Sequence, residues 1–63
     1  MKTLIKGTFG QTKGYIIEQG DRREIHSVEG RLLGVYLKNQ DKTFTASGAY
    51  VGFGDQLMGF IPH

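Results

Sequence analysis

The fold is decided by one stretch of sequence, Arg31-Leu32-Leu33-Gly34-Val35-Tyr36-Leu37. Its leucine, valine and tyrosine residues lie between turn residues, which is the pattern of a β-strand. Because side chains alternate across a strand, one face carries Leu33, Val35 and Leu37, and the other carries Leu32, Gly34 and Tyr36. A strand with one side in water would alternate with polar residues, and this stretch does not. The sequence therefore predicts a strand that is covered on both sides.

Five further β-rich runs surround this strand, separated by short turns. The ten glycines in 63 residues argue against long helices, since glycine costs about 1 kcal/mol relative to alanine inside a helix. The predicted strands cover residues 2–9, 14–18, 23–28, 31–38, 43–46 and 49–53. Short connections favour antiparallel pairing of sequential strands. We predict an all-β antiparallel meander of about six short strands, forming a single small domain over residues 1–63.

The C-terminal segment, residues 54–63, fits two structures. A seventh strand is the preferred prediction. The alternative is a single helical turn that begins at Asp55 and brings Leu57, Phe60 and Ile61 to one side. Pro62 ends the element in either case.

The hairpins are predicted to repeat at an interval of 18 residues. Gly30-Arg31-Leu32-Leu33-Gly34-Val35 aligns with Gly48-Ala49-Tyr50-Val51-Gly52-Phe53, and a degenerate first copy places Gly14 over Gly30. The first glycine of each copy suits the left-handed position of a hairpin turn. The second glycine leaves room for an aromatic ring, and the candidates to fill it are Tyr36, Phe44, Tyr50 and Phe53.

These glycine-marked hairpins resemble two families. Gly30-Arg31-Leu32 matches part of the YD-repeat pattern of large bacterial hairpin-repeat proteins, although His26-Ser27 stands where that pattern has Tyr-Asp. The spacing from Gly30 to Gly34 and from Gly48 to Gly52 resembles small bacterial proteins of the four-fold beta-flower domain. The resemblance implies a β-hairpin fold and a symmetric oligomer, and it carries no catalytic residue.

The size of the chain predicts self-association. A domain of this length buries only about 60% of the surface of its unfolded chain, and small domains usually need a disulfide, a metal or a partner subunit. The sequence has no cysteine, and His26 and His63 lack the spacing of metal ligands. We therefore predict a homo-oligomer without metal or cofactor, whose subunit interface contains Leu32, Gly34, Tyr36, Gly52 and Phe53.

The charged residues leave two other binding functions open. Arg22, Arg23 and Arg31 could hold a small anionic ligand, such as a nucleotide, between subunits. A basic barrel that binds nucleic acid through Lys2, Lys6, Lys13 and exposed aromatic residues is less favoured, because the net charge is only +2.

No enzymatic function is predicted. Phosphate-loop, triad and carboxylate-pair patterns are missing from the sequence, and His26 is interpreted as structural. The chain has no apolar run of about 20 residues for a membrane span and no signal-peptide pattern. Together with the lack of cysteine, this predicts a cytoplasmic protein without a membrane partner, acting as a non-enzymatic binding or interaction module.

Overall fold

The computed structural model describes residues 1–61 and has one sheet of six strands in chain order. The strands are β1 (Lys2–Lys6), β2 (Thr12–Gln19), β3 (Arg22–Ser27), β4 (Leu32–Leu37), β5 (Lys42–Thr45) and β6 (Tyr50–Phe53). Each pairs antiparallel with the next, which confirms the predicted all-β meander. Pro62 and His63 lie outside the described residues, and so does the predicted end of the last element at Pro62.

The β1–β2, β3–β4 and β5–β6 hairpins share one turn geometry. In the β3–β4 hairpin, the Ser27 N–H donates to the Arg31 carbonyl at 2.9 Å and the Gly30 N–H donates to the Ser27 carbonyl at 3.0 Å. The β1–β2 hairpin repeats both bonds through Gly7, Gly10 and Gln11, and the β5–β6 hairpin through Thr45, Gly48 and Ala49. The turn glycines Gly10, Gly30 and Gly48 have φ of 83°, 91° and 95°, a region that strains a residue with a Cβ.

Each of these hairpins also has a bulge at the same point. Ile25 pairs with Gly34 and His26 pairs with Leu32, so Leu33 is an extra residue in β4. The other two bulges place Lys13 and Val51 in the equivalent position. In every copy the residue before the bulge is buried and faces a glycine: Ile5 and Gly14, Ile25 and Gly34, Thr43 and Gly52.

The structure confirms the 18-residue repeat and corrects the register of its first copy. The prediction that Gly14 corresponds to Gly30 was wrong, because Gly10 occupies the turn position and Gly14 corresponds to Gly34. The first interval is therefore 20 residues. The signal was present in the sequence, since Gly10–Gly14, Gly30–Gly34 and Gly48–Gly52 all have the same four-residue spacing.

The C-terminal segment forms a 3-10 helix (Leu57–Phe60) rather than the preferred seventh strand, so that prediction was wrong and the helical alternative is correct. We name residues 55–61 the strap. Gly54, with φ 76°, turns the chain away from β6. The Leu57 N–H then donates to the Asp55 carboxylate at 3.0 Å, which begins the helical turn.

A buried threonine and an ion pair hold the strap on the sheet. The Thr43 hydroxyl, fully buried, donates to the Gly54 carbonyl at 2.7 Å and accepts the Gln56 N–H at 3.0 Å. Arg23 pairs with Asp55, and Glu18 pairs with Lys38 nearby. Lys38 and Arg23 lower the pKa of Glu18 below its ordinary value.

The strap covers one side of the sheet, which we call the covered face. Together they form a core of Ile5, Ile16, Ile25, Leu57 and Ile61. A Cβ added at Gly34 would lie 2.5 Å from the Phe60 ring, and one added at Gly14 would lie 3.1 Å from Ile61 Cδ1. The strap thus contacts the sheet where the glycines lack side chains. The aromatic ring over Gly34 is Phe60, which was not among the predicted candidates.

We expect Gly34→Ala to lower the free energy of unfolding by about 1–3 kcal/mol, because the added methyl group displaces Phe60. Phe60→Ala removes the ring that clashes with it. The double variant should therefore be more stable than the sum of the two single effects by at least about 1 kcal/mol, as measured by urea denaturation.

Gly59→Ala is the matched control. A Cβ at Gly59 meets nothing within 4 Å, so this change should have little effect on the urea midpoint. Strict additivity of Gly34→Ala and Phe60→Ala would contradict the proposed contact.

Candidate interaction face

The side of the sheet opposite the strap, which we call the open face, is the candidate site. Among residues 1–61 the 3-10 helix is the only helix, and it lies on the covered face, so no helix packs on the open face. The strand register assigns the following side chains to it: Lys2, Leu4, Lys6, Thr12, Tyr15, Ile17, Gln19, Arg22, Glu24, His26, Leu32, Val35, Leu37, Lys42, Phe44, Tyr50 and Phe53.

The centre of the open face is mainly apolar. One cross-strand row runs through Ile17, Glu24, Val35 and Phe44, and all four are only partly exposed. A solvated sheet face would carry polar residues in such a row. The sequence of β4 predicted a strand covered on both sides, and within the described chain the side that carries Val35 lacks a cover.

A polar cluster lies beside this row. The His26 ring stacks on Tyr15 with a centroid distance of 5.0 Å and an interplanar angle of 5°. Its Nε2 lies 3.1 Å from a Glu24 oxygen, and Arg22 Nε lies 2.6 Å from the other oxygen. Desolvation raises the pKa of Glu24, but contacts with His26 and Arg22 outweigh it and leave the pKa below its ordinary value. The carboxylate is therefore charged and internally compensated at neutral pH.

An aromatic cluster occupies the β6 end of the open face. Tyr50 contacts Phe44 at a centroid distance of 5.8 Å and Phe53 at 6.1 Å, with tilted and edge-on geometry. The Lys42 ammonium lies 6.0 Å from the Tyr50 ring and 5.8 Å from the Phe53 ring. Phe53 is 70% exposed, so this cluster is an apolar surface available to a partner.

The residues of the predicted subunit interface divide between the two faces. Leu32 and Phe53 belong to the open face, whereas Gly34 lies under Phe60 of the same chain. Tyr36 packs against the core, and its hydroxyl donates to Asp41 at 2.7 Å. That hydrogen bond raises the pKa of Tyr36, and burial adds to the shift.

Gly52 also belongs to the covered face, where the nearest atom to an added Cβ is Gln56 Cγ at 3.9 Å. Simple alternation predicted that Leu32 shares a face with Gly34 and Tyr36. That prediction was wrong because the bulge at Leu33 interrupts the alternation.

Within one chain, the three arginines considered for an anion site between subunits do not converge. Arg22 and Arg23 are adjacent, so they point to opposite faces, and each pairs with a carboxylate, Glu24 or Asp55. Arg31 lies at the other end of the β3–β4 hairpin, six residues from Leu37, the partner of Arg22. That separation is on the order of 20 Å, which is too far for one small anion to contact both ends.

Other site types have little support in the described chain. A depression of about 210 Å³ is lined by Ile5, Lys6, Gly7, Thr8, Lys13, Met58 and Ile61. Residues 1–61 contain no group of three potential metal ligands among histidine, aspartate and glutamate. Nor does any helix within this range have the length and apolar character to cross a bilayer.

Comparisons with known proteins do not identify a relative. No family model, curated protein or solved structure matches this chain. The resemblance to the beta-flower domain stays a prediction.

The dispersed arginines predict that nucleotides do not stabilise the protein. Adding millimolar nucleoside triphosphate should leave the melting temperature unchanged, because a ligand raises it only by binding the folded state. A differential scanning fluorimetry series with ATP and inorganic phosphate checks this. A concentration-dependent rise of several degrees would contradict it.

Proposed function

We propose that this protein is a non-enzymatic, homo-oligomeric β-hairpin interaction module in which two copies cover each other's open faces. The observation that carries the proposal is the apolar row through Ile17, Val35 and Phe44, which nothing in residues 1–61 covers. A second copy is the one partner always present with the chain.

The need for a cover follows from the small core. Among residues 1–61 only five apolar side chains are buried, and the sequence has no cysteine to add a disulfide. Full burial of an aliphatic or aromatic side chain contributes roughly 1.5–3 kcal/mol. Burying Val35 and Phe44 against another subunit would therefore supply stabilisation that a lone chain lacks.

The dimensions of the open face suit a small homodimer. Six strands about 4.8 Å apart and about five residues long form a face roughly 24 Å by 17 Å. The accessible surface of its side chains exceeds this flat area, so two copies would bury on the order of 1,000 Å². Specific interfaces begin at about this size.

The charges of the open face are compatible with this arrangement. Arg22 neutralises Glu24 within one chain, so the pair brings no net charge into the interface. Lys2, in β1, lies over the Tyr15 ring, and Lys42, in β5, lies over the Tyr50 ring, toward opposite edges of the sheet. Their ammonium groups can reach solvent while their stems cover apolar surface.

Val35→Lys tests the proposal, because it introduces an ammonium group at the centre of the face. The wild type should elute with twice the 7.0 kDa mass of the chain in gel filtration with light scattering. We expect Val35→Lys to weaken the dimer at least about 100-fold, since an unpaired charge is costly to bury, and to elute as a folded monomer.

Val28→Lys is the matched control. Val28 is 53% exposed in the β3–β4 turn, away from the open face, so this variant should stay dimeric. A Val35→Lys protein that keeps the dimer mass, or a wild type that is monomeric at all concentrations, contradicts the proposal.

A further inference from the structure

The two ends of the sheet differ in chemistry. In a meander, the β1–β2, β3–β4 and β5–β6 turns lie at one end, which we call the tip end, and the other two turns lie at the opposite end. The tips carry Phe9, Val28, Ala46 and Ala49, all of them exposed. The turns at the opposite end carry Gly20, Asp21, Asn39, Gln40 and Asp41. Exposed apolar residues thus recur on each turn of the tip end and are missing from the two turns of the opposite end. At that opposite end the exposed apolar residues are Met1 and Phe53, which lie at the outer ends of β1 and β6 rather than in a turn.

Phe9 is the extreme case. Its side chain is 91% exposed at the end of the β1–β2 hairpin. Met58, 55% exposed, borders the same depression as Thr8, the residue before Phe9. A large aromatic side chain in water at a hairpin tip adds little stability to the isolated chain, which makes Phe9 the first candidate on this end for a contact with a partner.

The tip end is also basic. Lys6, Lys13 and Arg31 flank the tips, and Glu29 is the one acidic residue among the three hairpin turns. A surface with net positive charge repels a second copy of itself and attracts an anionic partner. The charge therefore argues against contact between two tip ends.

We propose that the tip end binds the surface of an anionic phospholipid bilayer, with Phe9 inserted among the headgroups and Lys6, Lys13 and Arg31 close to the lipid phosphates. Phenylalanine is among the residues that peripheral segments bury at the boundary of headgroups and acyl chains, and each basic residue near an anionic surface contributes about 1 kcal/mol. Nucleic acid fits less well, because Val28, Ala46 and Ala49 offer no ring on which a base could stack.

This contact differs from a membrane span. The prediction of no membrane partner rested on the missing transmembrane run, and peripheral binding needs no such run. The proposal is also distinct from self-association, because Phe9 and the other exposed apolar residues of the tips lie in the turns, outside the strands of the open face. Lys6 is the one tip residue named here that the register also assigns to the open face. A dimer would carry two tip ends and gain avidity.

A single tryptophan at the tip tests the proposal directly. The chain contains no tryptophan, so the fluorescence of Phe9→Trp reports on this tip alone. We expect a blue shift when vesicles of phosphatidylcholine with 30% phosphatidylserine are added in 0.1 M salt, and little shift with pure phosphatidylcholine. Phe53→Trp, at another exposed aromatic position on the open face, is the matched control and should not shift with either vesicle.

Charge variants locate the electrostatic contribution. Lys6→Gln and Arg31→Gln, each combined with Phe9→Trp, should weaken vesicle binding about fivefold, the equivalent of about 1 kcal/mol per charge. Lys42→Gln changes a lysine away from the tips and should leave binding unchanged. Higher salt should weaken binding by all variants.

Three results would overturn the proposal. The first is no shift of Phe9→Trp with anionic vesicles, and the second is an equal shift of Phe53→Trp. The third is a shift of Phe9→Trp with a thymidine 20-mer but not with vesicles, which would assign the tip end to nucleic acid. Retention of vesicle binding in Val35→Lys separates this proposal from the dimer, because that variant alters the open face only.

Discussion

The contact on which the rest of the structure depends is the packing of the strap against the glycines of the sheet. Gly14 and Gly34 remove side chains where Ile61 and Phe60 approach. This allows Leu57 and Ile61 to complete a core that the strands alone supply with only three isoleucines. Thr43, in β5, adds one hydrogen bond to Gln56 of the strap and one to Gly54, the residue just before it. Without this close approach, both faces of the sheet would be open to water.

The strap covers one face of the sheet and leaves the apolar residues of the other face without a cover in the described chain. The described segment after β6, residues 54–61, packs on the covered face through Leu57, Phe60 and Ile61. The apolar residues of the open face therefore stay partly exposed within the described chain. In the dimer that we propose, the sheet of a second copy buries the apolar residues of the open face, as the strap buries those of the covered face. The stack of His26 on Tyr15 and the Arg22–Glu24 pair limit the rotamer freedom of that surface before any partner binds.

The repeat explains why the turns at the two ends of the sheet differ in chemistry. Three copies of one hairpin place three similar turns at the tip end, while the intervening turns are unrelated to them. Each copy has a left-handed glycine, a bulge and a second glycine opposite a buried residue. The same repeated unit therefore shapes both the covered face and the tip end. Its second glycine leaves room for the strap, and its turn carries the exposed apolar residue.

The sequence by itself determined the all-β class, the six strands in meander order and the 18-residue repeat, because alternation and turn glycines are local signals. It did not determine which residues of β4 share a face, since the bulge at Leu33 reverses the alternation that a regular strand would keep. Nor did it show that Phe60 fills the space over Gly34, because that contact joins residues 26 positions apart. The three arginines considered for an anion site are separated within one chain, since Arg22 and Arg23 point to opposite faces and Arg31 lies at the far end of the β3–β4 hairpin. Local chemistry decided the elements, and only the tertiary structure decided which side of the sheet has a cover.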